Sequence, residues 1–316
     1  MSRIHEALKK AEQERAAGAS PETFSPVVAP DAKQKMEPVA TQTPDVPQAA
    51  QDVPIADPPA AELPAAPITL ETLMARCARH RWNPDPKSLL FVNSHNHLQG
   101  AEEFRTLRSR LYQIRERQPL RTVLVASVLP GEGKTFTTAN LAQAIVRQHE
   151  RRALVIDADL RRSQLHACFG APPTPGLTDY LSGKADEFSM IQRGTMENLF
   201  LIPGGKPVSN PVELLSNGRM KILLERLAPV FDWILLDSPP AVAVSDASLL
   251  ADVCDGVLLV VQAASTPFDV ALKAREGFHE NRLLGVVLNR VEPGESYLSY
   301  YYSYYHKHPN GTKSRG

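Results

Sequence analysis

Ala126-Ser127-Val128-Leu129-Pro130-Gly131-Glu132-Gly133-Lys134-Thr135 joins a short apolar run, Thr122–Ser127, to a helical stretch expected over Thr135–His149. A loop of small residues at a strand-to-helix junction can turn its backbone N–H groups inward around an anion, and the helix N-terminus adds positive potential there. In such a loop Lys134 reaches the β- and γ-phosphates of a nucleotide and the Thr135 hydroxyl sits on Mg²⁺. The usual pattern has a glycine where this chain has Val128. Pro130, Gly131, Glu132, Gly133, Lys134, Thr135 and Phe136 are therefore the candidate nucleotide-binding run, with ATP and Mg²⁺ as the expected ligands.

The chain around this loop repeats one pattern. Strand-like apolar runs follow at Ala153–Asp157, Leu199–Pro203, Trp233–Asp237, Gly256–Gln262 and Gly285–Asn289, with helices expected over Pro211–Leu227 and Pro267–Arg282. Short strands that do not alternate, separated by helices, imply a mostly parallel sheet covered on both faces. The predicted fold is thus a doubly wound α/β domain of the P-loop NTPase type, with its core over about residues 88–292. Upstream, helices are expected at Ile68–Trp82, ended by Asn83-Pro84-Asp85-Pro86, and at Glu102–Gln113.

Two further acidic sites end apolar strands, where a doubly wound sheet opens its ligand crevice. They are Asp157-Ala158-Asp159-Leu160-Arg161 and Asp237-Ser238-Pro239-Pro240. An aspartate is costly to bury at such a place unless a cation compensates it. Asp157, Asp159 and Asp237 join Lys134 as candidate catalytic groups, and Thr135, Asp159 and Asp237 are the candidate metal residues.

Composition limits the alternatives. The chain has 316 residues, 43% of them apolar and 22% charged, and 35 basic residues balance 35 acidic ones. That balance gives no electrostatic case for a nucleic-acid partner. Cys77, Cys168 and Cys254 lie far apart with no CxxC, the pattern of reduced thiols in a cytosolic protein rather than of a disulfide framework. His95 and His97 have no cysteine or carboxylate companions at ligand spacing, so a solvated loop is expected there. No apolar run approaches the ~20 residues that span a bilayer.

The ends of the chain differ from its middle. Residues 1–17 can form an amphipathic helix with Ile4, Leu8 and Ala11 on one face, either a frayed terminus or a docking element. Residues 18–67 hold eleven prolines among fifty residues and almost no aromatics. Such a stretch buries too little apolar surface to offset its ordering entropy and reads as a disordered linker. A catalytic domain over 68–292 follows. Residues 293–316 then carry Tyr297, Tyr300, Tyr301, Tyr302, Tyr304 and Tyr305. Beside a nucleotide site, this hydroxyl array fits a phosphoacceptor; without chemistry it is an adhesive, aggregation-prone tail.

Across about residues 98–305 the sequence resembles the bacterial tyrosine kinases of capsule and exopolysaccharide synthesis. The resemblance rests on several segments in order. Glu102, Arg105 and Arg108 match an E-x-x-R-x-x-R oligomerisation motif, and Pro130–Thr135 a PGxGKT loop. Asp157, Asp159 and Arg161 match an accessory acidic motif, and Leu236–Pro240 a metal motif. Gly204-Gly205-Lys206-Pro207 through Asn210–Leu215 is also similar to a family segment, and the tyrosines match a C-terminal acceptor cluster. The resemblance implies a non-specific protein-tyrosine autokinase that forms a ring-shaped homo-oligomer, with Asp157 as base. It further implies an activating membrane polysaccharide co-polymerase (chain-length regulator), a tyrosine phosphatase, and a cytoplasmic protein held at the inner membrane through its partner. Asn289 resembles an adenine contact, although a turn-forming asparagine fits as well. Arg105 and Arg108, as an i,i+3 pair, either meet a neighbouring subunit or form a solvated face. The rival on the same fold is an ATPase switch of the septum-site or plasmid-partition kind. Its signature lysine would stand five residues before Lys134, where this chain has Leu129.

Overall fold

The structure, a computed structural model, describes residues 67–91, 98–243 and 245–291. The expected N-terminal helix and linker, His95, His97 and the six tail tyrosines lie outside the described residues.

Eight strands form one sheet. They are β1 (Ala78–Arg79), β2 (Thr122–Ser127), β3 (Ala153–Asp157), β4 (Gln192–Arg193), β5 (Leu199–Ile202), β6 (Trp233–Asp237), β7 (Gly256–Gln262) and β8 (Leu283–Asn289). Their spatial order is β1-β4-β5-β3-β6-β2-β7-β8, parallel throughout except for the short antiparallel β4–β5 pair. The doubly wound, mostly parallel α/β fold is as expected. The strand carrying the glycine-rich loop is central, with β6 on one side and β7 on the other.

Period-two alternation divides each central strand between two cores. Leu124, Ala126, Leu154, Ile156, Ile234, Leu236, Val257 and Leu259 face one core, whereas Val123, Ala153, Val155, Trp233, Leu235 and Leu258 face the other. Every residue of β2, β3 and β6 is buried. This explains why these runs are apolar without alternation: both faces are covered. Each such Val, Leu or Ile contributes ~1.5–3 kcal/mol on burial, so the strands are fixed strongly enough to hold polar groups at their ends.

The helices are α1 (Leu70–Arg76), α2 (Leu98–Arg115), α3 (Lys134–Val146), α4 (Leu165–Phe169), α5 (Leu177–Leu181), α6 (Glu187–Met190), α7 (Pro211–Ser216), α8 (Arg219–Leu227), α9 (Asp246–Asp252) and α10 (Phe268–Glu276). Three expectations need correction. The helix expected over Ile68–Trp82 is only α1, because Cys77 turns extended and Ala78–Arg79 pair with Gln192–Arg193. The single helix expected over Pro211–Leu227 is broken by Gly218 at φ 80°, a left-handed conformation that ends α7 and starts α8. The one expected to run to Arg282 stops at Glu276, and a separate 3₁₀ turn, Glu280–Arg282, leads into β8.

Candidate active site

Three strands deliver the site. The loop after β2 and the ends of β3 and β6 converge because β6 pairs with both neighbours, with Asp157 and Asp237 in register and Val125 opposite Asp237. Sequence positions far apart thereby meet at one crevice.

The glycine-rich loop is shaped by its own residues. Gly131 and Gly133 have φ of 83° and 96°, which side chains resist. At Gly133 an added Cβ would lie 2.1 Å from the Asn289 Nδ2 atom, so this position also lacks room. Gly133 starts α3 with no side-chain cap, leaving the first N–H groups of the helix to an anion. Val128, at the position where the usual pattern has glycine, is buried in the core.

The Glu132 side chain turns into the protein. Its buried carboxylate accepts from the Leu129 N–H (2.7 Å), from the Gln262 N–H (3.4 Å) and from the Thr266 hydroxyl, stapling the loop to β7. The Asn289 amide donates to the Glu132 carbonyl (2.8 Å), so its nitrogen serves the loop. Phe136 packs toward Phe104 on α2, ring centroids 6.0 Å apart. Pro130 and Gly131 are exposed at the loop tip.

The charged groups form a tight set. Lys134 Nζ lies 3.0 Å from Asp159 Oδ2 and 3.9 Å from Asp237 Oδ1, and the Thr135 hydroxyl donates to Asp237 Oδ2 at 2.6 Å. Asp159 Oδ1 accepts from the Arg162 N–H (3.0 Å). Asp157 Oδ2 accepts from the Ser163 hydroxyl (2.7 Å) and the Leu165 N–H (2.8 Å). One oxygen on each of Asp157 and Asp237, Oδ1 in both cases, is buried without a hydrogen-bond partner.

That arrangement stores charge. Burial pushes the Asp157 carboxyl up to about 7, the Asp237 charge adds to the shift, and the Ser163 and Leu165 hydrogen bonds oppose it. Burial also raises Asp237, to about 6, against the pull of Lys134 and Thr135. Burial works to lower the Lys134 ammonium, yet Asp237, Asp159 and Asp157 together outweigh it and hold the ammonium above its ordinary value.

The donor set suits a hard cation. A hydroxyl and two carboxylates, with one Asp237 oxygen unpartnered, match what Mg²⁺ takes alongside phosphate and water. Among the described residues no three His, Cys, Asp or Glu side chains gather as a metal site made of protein ligands alone.

The other expected residues are placed as follows. Arg105 pairs with Glu102 on its own helix (2.5 Å), half exposed on α2. Arg108 turns inward and donates to the Ala144 carbonyl of α3 (2.6 Å), so the two arginines do not share one free face. Arg161 forms a two-point ion pair with buried Asp246 at the start of α9 (2.8 and 3.0 Å). Sequence reading missed Asp246 and Ser163. The available signal for Ser163 was a hydroxyl residue in the turn after a strand-ending aspartate; Asp246 gave none beyond an acid in a first helical turn.

Among the described residues no helix is long and apolar enough to cross a membrane. Cys77, Cys168 and Cys254 are free thiols.

The chain matches the CobQ/CobB/MinD/ParA nucleotide binding domain over residues 123–309. It is 34% identical over 207 residues to tyrosine-protein kinase YwqD of Bacillus subtilis, covering 65% of this chain and 83% of that one. It is 38% identical over 179 residues to tyrosine-protein kinase CpsD of Streptococcus agalactiae, covering 56% of this chain and 76% of that one. Among solved structures, the kinase domain of Escherichia coli tyrosine kinase ETK superposes with a TM-score of 0.59 at 29% identity, covering 73% of this chain and 92% of that one.

Proposed function

This chain belongs to the CobQ/CobB/MinD/ParA nucleotide-binding family and, within it, to the tyrosine-protein kinases; from that premise we propose that it phosphorylates its own C-terminal tyrosines in trans, using ATP. The observation that carries the reading is the convergence of Lys134, Thr135, Asp157, Asp159 and Asp237 on one crevice, with a buried carboxylate oxygen free on each strand end.

Lys134 exchanges its contact with Asp159 for the β- and γ-phosphates and neutralises charge that develops on the transferred group. Mg²⁺, when bound by Thr135, Asp237 and Asp159, neutralises the phosphate oxygens. The phenolic oxygen of a tail tyrosine bonds to the γ-phosphorus as the bond to the β,γ-bridging oxygen breaks. ADP leaves, and the phenolic proton passes to the free oxygen of Asp157. An Asp157 group held near 7 is well matched to accept that proton near neutral pH.

The acceptors are Tyr297, Tyr300, Tyr301, Tyr302, Tyr304 and Tyr305, presented to a neighbouring subunit of a ring-shaped homo-oligomer. The exposed Glu102–Arg105 pair supports α2 as the interface, with Arg108 anchoring that helix to α3. The kinase regulates capsule or exopolysaccharide synthesis from the cytoplasmic side. A membrane co-polymerase activates it and a tyrosine phosphatase resets it. A nucleotide switch without transfer has less support: Leu129 occupies the position of the switch lysine and packs on the core.

Replacing all six tail tyrosines with phenylalanine tests the assignment. Phosphotyrosine and covalent label from γ-labelled ATP should disappear while binding of a fluorescent ATP analogue persists. Undiminished label on that variant overturns the acceptor assignment.

A further inference from the structure

Asp157 is held by one oxygen only. The Ser163 hydroxyl and the Leu165 N–H both donate to Oδ2, at 2.7 and 2.8 Å, and Oδ1 is buried with no hydrogen-bond partner. Two donors on one oxygen fix the rotation of the carboxylate and present the other oxygen in a single direction. With the Leu165 N–H alone, the group could turn about its last torsion, which is a broad one for aspartate. The Ser163 hydroxyl also has His166 Nδ1 3.4 Å away.

A second element makes room for that hydroxyl. Gly204, in the turn after β5, is buried, and a Cβ added there would lie 2.7 Å from both the Cβ and the Oγ of Ser163. The turn is not free to withdraw. The Gly204 carbonyl accepts from the Thr178 N–H (3.0 Å) and the Pro203 carbonyl from the Leu177 N–H (2.8 Å), tying it to the start of α5. The Gly204-Gly205-Lys206-Pro207 segment, which the nucleotide site leaves unexplained, thus reaches the site through Ser163.

We infer that Ser163 is a positioning residue for phosphoryl transfer: it aims the free oxygen of Asp157 at the incoming tyrosine hydroxyl, in a space that Gly204 keeps open. The inference rests on the reading of Asp157 as the base. Ser163 makes no hydrogen bond to Lys134, Thr135, Asp159 or Asp237, so it acts on the transfer step and not on nucleotide binding.

The test is single-turnover transfer from γ-labelled ATP·Mg²⁺ to tyrosine in the full chain, with a fluorescent ATP analogue reporting binding. Ser163→Ala should slow transfer about 10- to 100-fold, the scale of a misplaced reacting group, with KM for ATP and analogue affinity within about twofold of the parent. Gly204→Ala, which pushes the hydroxyl aside without removing it, should reproduce that split between kcat and KM. Parental transfer rates in Ser163→Ala overturn the inference, as does a kcat loss matched by an equal loss of nucleotide affinity. Asp157→Asn separates the two readings. If it is inactive while Ser163→Ala is not slowed, only the positioning role fails; if Asp157→Asn transfers at the parental rate, the base assignment itself fails.

Discussion

Strand β6 is bracketed by two aspartates that live in opposite circumstances. At its start, Asp232 is satisfied on both oxygens, by the Arg151 guanidinium (3.0 Å) and the Arg152 N–H (3.0 Å). Burial pushes its carboxyl up, but those two partners outweigh burial and hold it below its ordinary value of 3.8. At the start of β7, two strands away, Asp255 accepts from the N–H groups of Arg121 and Thr122, both at 2.8 Å. The other end of the sheet inverts this. Asp157 and Asp237 are more deeply buried, each has one oxygen without a hydrogen bond, and burial raises both. The difference teaches where the fold is stapled and where it is left short of partners: one end satisfies its carboxylates with backbone and arginine donors, and the other buries carboxylates beside the glycine-rich loop with fewer donors.

The largest effect should come from removing the cation that the carboxylate-rich end does possess. Lys134→Met leaves Asp159 and Asp237 without the ammonium 3.0 and 3.9 Å away. The carboxyls can take up protons instead of unfolding the domain, so the protein should remain folded. Transfer should fall by at least ~10²–10³-fold, the cost of losing one preorganised charge at a reacting phosphate. Anti-phosphotyrosine detection with ATP·Mg²⁺, on the purified variant incubated alone, measures it; full phosphorylation would remove the proposed site.

The stapled end should respond in stability and not in rate. Asp232→Ala leaves the Arg152 N–H without its acceptor and Arg151 without its ion pair. The expected loss is ~1–3 kcal/mol, mostly from the orphaned backbone donor, since half-exposed ion pairs contribute little. Urea unfolding gives the number. A loss below about 0.5 kcal/mol, the range of an ordinary surface substitution, would break the contrast between the two ends.

The contrast also marks what the sequence could reveal. The central strands were legible because burial on both faces makes them uniformly apolar, and the Gly131–Thr135 loop because backbone turning and phosphate contact demand those residue types. Asp157, Asp159 and Asp237 were legible from their place at strand ends. The edge strands β1 and β4 were not: two residues each, carrying Arg79 and Arg193, they have no pattern of their own and form only because tertiary pairing overrides local preference. Glu132 is legible as part of the nucleotide-binding run, but its side-chain bonds to Gln262 and Thr266 are not, because those partners lie far along the chain. The roles of Ser163 and Gly204 depend on a turn after β3 meeting a turn after β5, a proximity that no local pattern encodes.

The smallest effect is a difference in sign. In nucleotide-free protein, the Asp157 carboxyl is raised from 3.8 to about 7. Between those values the folded state binds more protons at this site than the unfolded state, so stability falls as pH rises through the window and levels off above it. Asp157→Asn preserves the shape: its amide oxygen can accept from Ser163 and Leu165 while removing the buried charge. At pH 8 with a chelator present, Tm should therefore rise by roughly 2–4 °C, what ~1 kcal/mol makes in a domain of this size. As pH falls toward 3.8 and below, where the carboxyl is protonated in folded and unfolded states alike, the gap should close and variant and parent should melt together. Asp232→Asn should behave in mirror image. Its folded value is depressed, so its contribution is present above 3.8 and lost as pH falls through the folded value; the variant should be the weaker protein at pH 8 and draw level in acid. Thermal melts of the three proteins across pH 3–8 decide it. If Asp157→Asn lowers Tm at pH 8 as Asp232→Asn does, both ends of the sheet are staples, and the buried Asp157 carboxylate holds no unfavourable charge for catalysis to use.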